Sequence, residues 1–342
     1  MKEPTCRPLA VIAILALLGG AGQPLEACRI CLPLPKESIA DLLIESESAV
    51  LAREDPERPF HFVPVEILKG KPPKERIGLL LDSVTRRLLK AYPHRSVLLA
   101  KAGTWQRVAA VDKTVRPVID EILERSATWT HSEDARFEYF SKLFAHEHPV
   151  LRTLAHLEVA RAPYGRIRKL GRHLDRATIR APLEDARLLE WWALHILLLA
   201  QSNDPRDRRQ ITETIRSLET FSDPLHLGAW ATAYIEIEGE KAIQYLEARY
   251  FRRAPPAKQL RRVLMALSVQ GASGRTELRD RIVASYKVAI EQHPGLTSPV
   301  LDDLIAWKRV ELIPYMQAFG AKHARTLAPD ARLKLNRFTR LR

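Results

Sequence analysis

The residues best placed to do chemistry at close spacing are those of His146-Glu147-His148, with His156 nearby. On one helix, the pattern HExxH places two histidines on the same face to bind zinc and supplies a glutamate as general base. Here the pattern is HEHP, and Pro149 interrupts a helix directly after it. A polar turn between two helices is therefore the preferred interpretation, and the sequence predicts neither a metal site nor a cofactor.

Basic side chains form two further groups that are candidates for binding anions, because guanidinium groups pair well with phosphates and carboxylates. The first group falls near one face of a predicted helix, and the second lies where two predicted helices meet. The predicted binding residues are Arg166, Lys169, Arg172, Arg252, Arg253 and Arg261. The alternative is that these charges belong to the solvated outer faces of the helices.

The sequence lacks the short motifs of several enzyme classes. It contains no GxSxG and no glycine-rich phosphate loop, and it has only 14 glycines in all. His195 lies in an apolar helix, where a histidine more often packs in the core than binds a ligand. We therefore predict no catalytic residue and no enzyme, with a metal-dependent hydrolase of the cell envelope as the alternative.

The first 27 residues have the pattern of an export signal. A weakly basic start is followed by an uninterrupted apolar run from Leu9 to Leu18 and then by small residues. This run is about ten residues long, whereas a membrane-spanning helix needs about 20. We predict a signal peptide over residues 1–27 and a periplasmic or secreted mature protein without a membrane span.

Cleavage of such a signal leaves Cys28 and Cys31 as the only cysteines. Two cysteines in an exported protein favour a disulfide, although their spacing makes a tight ring. The preceding Leu25-Glu26-Ala27 also resembles a lipobox, which would make Cys28 an acylated N-terminal anchor. Both a local disulfide and a lipid anchor are therefore predicted as alternatives.

The charge balance indicates the kind of partner. The chain has 54 lysines and arginines against 41 acidic residues, which gives a formal net charge of +13. A basic chain favours anionic partners, and outside the cytoplasm nucleic acid is a poor candidate. The predicted partner is another protein, with an anionic lipid or glycan of the envelope as a second possibility.

Residues 38–111 are predicted to form a short helix followed by strands. The helix runs from Ser38 to Glu47, and Ser38 is its expected N-cap. The strand in which Pro64 lies is expected at an edge or at a bulge, because proline donates no hydrogen bond. The strands are predicted at Ala49–Arg53, Phe60–Leu68, Arg76–Leu81 and Ser96–Lys101, with a hairpin within Gly103–Val111.

The order CRICLPLP, short helix, AVLARE and FVPVEILKG resembles the start of netrin-like and metalloproteinase-inhibitor-type domains. The matching positions are Cys28, Cys31, Pro33, Ser48–Arg53 and Val65–Gly70. The resemblance implies a small OB-like β-barrel. In the inhibitors the N-terminal cysteine chelates the protease zinc, but the cysteines here are spaced CxxC rather than CxC. Protease inhibition is therefore only an alternative function.

From Ser132 onward the sequence predicts helices. Pro224–Phe251 has the pattern of two amphipathic helices, the first capped at Ser222-Asp223-Pro224 and ending at Gly239. Pro182–Ser202 is predicted to be the most apolar and most central helix. Helix pairs predicted to begin at residues 182, 224, 256 and 298 resemble HEAT-like repeats, with an irregular bundle as the alternative.

Together these patterns predict an α+β, mainly α chain. An OB-like β domain at residues 28–125 is expected to precede an α-helical repeat domain at residues 132–342. Repeat arrays of this kind present extended surfaces to partners. The predicted function is that of a non-enzymatic, exported binding or scaffold protein, with the protease inhibitor and the envelope hydrolase as alternatives.

Overall fold

The computed structural model describes residues 37–341 of the chain. These residues form seventeen α-helices and one four-stranded antiparallel sheet, so the predicted α+β, mainly α class is confirmed. The strands are β1 Ser48–Glu54, β2 Phe62–Lys69, β3 Ser96–Ala102 and β4 Thr104–Val111. The helices are α1 Ile39–Glu45, α2 Ser83–Ala91, α3 Arg116–Glu124, α4 Ser126–His131, α5 Glu133–Lys142, α6 Pro149–Ala160, α7 Tyr164–Gly171, α8 Arg176–Glu184, α9 Trp192–Leu199, α10 Pro205–Ser217, α11 Leu227–Glu238, α12 Glu240–Leu246, α13 Ala257–Ser273, α14 Arg279–Gln292, α15 Thr297–Ala306, α16 Ile313–Lys322 and α17 Pro329–Phe338.

The sheet has the strand order β2-β1-β3-β4. The β3–β4 hairpin turns at Gly103, whose φ of +74° lies in the left-handed region that glycine adopts without strain. Pro64 lies on the edge strand β2, next to an irregularity in its pairing with β1, as its missing N–H predicts. In the part of the chain that the structure describes, β2 and β4 do not pair with each other. The sheet is therefore open there, and the predicted barrel is not observed.

Both faces of the sheet are covered by helices, which explains why the central strand β1 is apolar at consecutive positions from Ala49 to Ala52. On one face, α1 and α3 pack against the sheet, and this core continues into α5 and α6 through Phe140 and Leu154. Because one core includes residues on both sides of the predicted junction at 125–132, the domain boundary stays a prediction.

The other face of the sheet holds the segment that was wrongly predicted to be a strand, Arg76–Leu81. This segment pairs with the sheet only through one isolated bridge, between Leu80 and His61. Its Ile77 and Leu81 are buried against the sheet face, together with Leu89 of α2. Burial of alternate side chains thus produced a strand-like pattern in a segment that packs on the sheet instead of extending it.

The C-terminal half is an array of helices in which alternate members pack together, with α9 on α11, α11 on α13, α12 on α14 and α15 on α17. As predicted, the most apolar helix is central: α9 is buried from Ala193 to Leu199. It is shorter than the predicted Pro182–Ser202, because Pro182 lies in the last turn of α8. Asp185 then caps a separate 3₁₀ turn that leads into α9. None of the helices in residues 37–341 has the length and apolar character needed to span a bilayer.

The helix pair predicted at Pro224–Phe251 is present as α11 and α12, with Gly239 between them at φ +60°. Its start was wrongly predicted, since α11 begins at Leu227 after His226 in the left-handed conformation. The residues before it belong to an irregular loop that is attached to α13. After α12 the chain continues through a π-helical turn, Glu247–Phe251, into the next connection.

Candidate functional site

The strongest candidate site is an open cleft of about 450 Å³ between two connections that flank the α11–α12 pair. One wall comes from the α10–α11 connection, and the other from the π turn after α12 and the α12–α13 connection. We call it the Arg253 cleft. Its main lining residues are Glu219, Phe221, Arg249, Tyr250, Arg253, Pro256 and Gln259.

Hydrogen bonds from α13 fix the first wall. The Gln259 side-chain amide, which is buried, donates to the backbone carbonyls of Phe221 and Ser222 at 3.2 and 2.7 Å. Lys258 and Arg262 both bind Asp223, at 2.6 and 2.8 Å. These contacts hold the loop in place while the Phe221 ring stays 58% exposed, so the cleft presents an apolar surface on a fixed backbone.

The charges around the cleft are only partly neutralised. Arg249 pairs with Glu219 at 2.7 Å, and Glu219 also accepts a hydrogen bond from the Tyr245 hydroxyl. Arg252 pairs with Glu247 at 2.6 Å. Arg253 is exposed and has no hydrogen-bond or ion-pair partner within residues 37–341. The cleft therefore carries one cationic group that is available to a ligand.

Tyr250 lies in the cleft wall with only 3% of its surface exposed. Its hydroxyl is buried and has no hydrogen-bond partner in the described part of the chain. Burial raises the pKa of Tyr250, and the negative charge of Glu219 adds to this effect. The hydroxyl thus stays protonated at neutral pH. A buried, unsatisfied hydroxyl costs about 1–3 kcal/mol, which a ligand that accepts its hydrogen bond would recover.

The cleft also lies at the N-terminus of α13, because Pro256 and Gln259 belong to the start of that helix. The backbone N–H groups of Ala257 and Lys258 donate to no acceptor among the described residues. Unpaired N–H groups and the helix dipole give this end of a 17-residue helix a partial positive charge. Together with Arg253, they make the cleft suited to an anionic group.

The structure separates the six arginines and lysines that the sequence predicted for binding. Arg253 lines the cleft, Arg252 lies beside it, and Arg261 is exposed on α13 outside the lining. Arg172 lines a different, polar cavity of about 200 Å³. The α7 residues lie near the opposite end of α13, about 25 Å from the cleft at 1.5 Å per residue.

One member of the first basic group, Arg166, and the neighbouring Arg168 are held by internal ion pairs. Arg166 pairs with Asp134 of α5 at 2.6 Å. Arg168 binds Glu236 of α11 at 2.6 Å and the backbone carbonyl of Gly274 at 2.9 Å. Lys169, by contrast, is exposed. Arg166 and Arg168 therefore connect helices, whereas Lys169 and Arg172 remain exposed.

The histidine cluster is divided between a turn and the core. His148 lies 3.2 Å from Asp112, and its backbone N–H donates to His146 at 2.9 Å, as expected of a polar turn. His156, on α6, is buried, and its ring packs against that of His195 with the ring centroids 5.2 Å apart. In residues 37–341 no group of three or more His, Cys, Asp or Glu side chains could hold a metal ion.

The predicted export signal, Cys28 and Cys31 lie outside the described residues. The sequence also missed the cleft residues Phe221 and Gln259. Pro224 predicted a helix start three residues before Leu227, where α11 begins, and this prediction hid the loop that contains Phe221. A phenylalanine directly before Ser222-Asp223-Pro224 is a local signal that could have indicated it.

The chain matches no known protein-family profile, and no curated protein and no solved structure shows significant similarity to it. The resemblances to netrin-like domains and to HEAT-like repeats are therefore not tested by these comparisons, and both stay predictions.

Proposed function

We propose that this protein is a non-enzymatic, exported binding or scaffold protein, and that it binds a partner protein through the Arg253 cleft. The observation that carries the proposal is the presence in one cleft of the Arg253 guanidinium, which has no partner among the described residues, and of the exposed aromatic ring of Phe221. Arginine and aromatic side chains dominate the binding energy of protein interfaces. Here both are presented on connections whose backbones are held by neighbouring helices.

The backbone of the Phe221 loop is held in place, which favours a binding role for the exposed ring that it carries. The loop that bears Phe221 is attached to α13 through Gln259, Lys258 and Arg262. Binding to a pre-organised surface loses less conformational entropy than binding to a mobile loop. A partner that covers Phe221 and pairs with Arg253 would therefore retain most of the interaction energy as affinity.

The packing of the helices supports a HEAT-like array as the framework of this surface. α11 lies between α9 and α13, so the central helix pair contacts a neighbour on each side, as a repeat unit does. In such an array, the connections between pairs lie along one edge. The α10–α11 and α12–α13 connections, which form the cleft, precede and follow the α11–α12 pair. In a repeat array the proposed binding surface would therefore lie at the boundary between that pair and its neighbours.

Quantitative capture from envelope extract tests the proposal. The full-length protein, Arg253→Glu and Arg209→Glu are compared as baits, because Arg209 is an exposed arginine on α10 that does not line the cleft. A true partner is expected to be recovered about tenfold less with Arg253→Glu and unchanged with Arg209→Glu. The partner is then purified, and its binding to all three proteins is measured directly.

Two results would contradict the proposal. If no captured protein depends on Arg253, the cleft is not the binding surface. If Arg209→Glu reduces recovery as strongly as Arg253→Glu, then net charge governs the capture rather than the cleft.

A further inference from the structure

We infer that the Arg253 cleft binds the free C-terminal carboxylate of its partner polypeptide, with an apolar terminal side chain packed on Phe221. This inference rests on the proposed function and specifies the chemical group that is recognised. Three observations carry it: the charge balance of the cleft, the donors that converge there, and the apolar surface beside them.

The charge balance favours an anionic group. Glu219 is matched by Arg249 at 2.7 Å, and the single carboxylate of Glu247 is matched by both Arg281 and Arg252, at 2.9 and 2.6 Å. These paired side chains already carry an excess of positive charge, and Arg253, which has no partner among the described residues, adds to it. A carboxylate, which every polypeptide carries at its C-terminus, would neutralise part of this excess.

Three kinds of donor are available around the same space. Arg253 offers a planar fork that matches the two oxygens of a carboxylate. At the N-terminus of α13, the lining residue Pro256 is followed directly by Ala257 and Lys258, whose N–H groups have no acceptor among the described residues. The Tyr250 hydroxyl, in a side chain that is 97% buried and lines the cleft, lacks an acceptor among the described residues. The third donor is independent of the helix end and itself requires an acceptor.

The apolar surface favours a chain end over an acidic side chain. Phe221 is 58% exposed, and Pro255 and Pro256 form the opposite rim. A terminal residue presents its carboxylate and its side chain from the same Cα atom, so both can be bound within one cleft. A cavity of about 450 Å³ has room for only the last few residues of a chain.

Fluorescence anisotropy with paired peptides tests the inference on the full-length protein. The probes are fluorescein-labelled hexapeptides that end in leucine, phenylalanine or valine, each made as the free acid and as the C-terminal amide. We expect the free acid of at least one peptide to bind about tenfold more tightly than its amide, because the amide lacks the charge that Arg253 pairs with.

Three variants locate the effect. Arg253→Gln is expected to abolish the preference for the free acid. Arg261→Gln is expected to retain it, because Arg261 is exposed on α13 outside the cleft lining and has no partner among the described residues. Tyr250→Phe is expected to weaken binding of the acid several-fold without lowering the melting temperature. If the Tyr250 hydroxyl had only a structural role, its removal would not weaken binding while leaving the melting temperature unchanged. The hydroxyl makes no hydrogen bond within the described residues, so Tyr250→Phe breaks none there.

The outcomes distinguish this inference from the proposed function. Equal binding of acid and amide, with both lost in Arg253→Gln, would overturn carboxylate recognition and leave the cleft as a protein-binding surface. An equal loss in Arg261→Gln would also overturn it, as would the absence of binding by every peptide. In each of these cases, capture of a partner that depends on Arg253 would still support the proposed function.

Discussion

At the scale of single residues, the most unusual environment is that of His156 and His195. The two rings are in edge-to-face contact inside the helical array, and Phe144 and Trp191 pack around them. His195 Nδ1 lies 3.0 Å from the carbonyl oxygen of Ile179, which satisfies one nitrogen locally. The sequence correctly indicated a core position for His195. The contact between His156 and His195 could not be predicted, because it depends on how α6 packs against α9 and not on a local pattern.

We expect acid to unfold this protein through these two histidines. Burial lowers the pKa of His156 to about 3 and that of His195 to about 4, and the nearby charge of Arg152 adds to the effect at His156. In the unfolded chain both pKa values return to about 6.5. The unfolded state then binds more protons below pH 6.5, so the free energy of unfolding falls as the pH is lowered towards 4.

Each histidine is expected to remove about 2 kcal/mol of stability between pH 8 and pH 5. Urea unfolding at several pH values measures this loss. His156→Phe is expected to reduce the slope of stability against pH, even where it changes stability at pH 8. The prediction fails if wild type and His156→Phe lose stability in parallel between pH 8 and pH 5.

At the scale of elements, the contact between the sheet region and the helical array is ionic as well as apolar. Arg136 of α5 binds Asp41 of α1 at 2.6 Å and Glu158 of α6 at 2.7 Å, and Arg161 also binds Asp41. Ser38, the N-cap of α1, donates to Glu158 as well. The cap at Ser38 could be predicted from the local sequence. The partnership across 120 residues could not, since no local pattern encodes it.

We expect Arg136→Ala to destabilise the protein by about 3 kcal/mol, because poorly solvated Glu158 loses its close cationic partner, while Arg161, which still binds Asp41, lies 4.0 Å from it. The side chains of Arg136, Asp41 and Glu158 are only 19%, 15% and 5% exposed. Urea unfolding at neutral pH gives the change in the free energy of unfolding.

Arg187→Ala is the matched control, since Arg187 pairs with Asp185 but is 89% exposed. Exposed ion pairs add little to stability, so this variant should unfold like the wild type. Equal effects of the two substitutions would show that the α1–α5–α6 network does not contribute more than a surface ion pair.

At the scale of the whole molecule, the order of the elements was predicted better than their boundaries. Helices and strands with a strong apolar period, such as β1, α6 and α13, were correctly expected. α2 and α17 were missed, because charged residues are interspersed among the apolar ones in their sequences and weaken the apolar period. In α17 this mixture is a surface helix with a narrow buried face, where Ala331, Leu335 and Phe338 pack on the array. A repeat protein and a single cooperative bundle differ in how far the loss of one packing contact destabilises the rest of the array.

Phe338→Ala tests this question, because Phe338 is fully buried and α17 packs on α15 at one end of the array. Loss of this ring is expected to cost about 3–5 kcal/mol locally. In a repeat array each unit contacts only its neighbours, so hydrogen exchange should accelerate in α15–α17 while α9 and α11 keep their protection. Leu333→Ala on the same helix, at a side chain that is 72% exposed, should change neither region. Equal acceleration in α9 and α17 would instead identify one cooperative bundle, and the HEAT-like description would then be wrong.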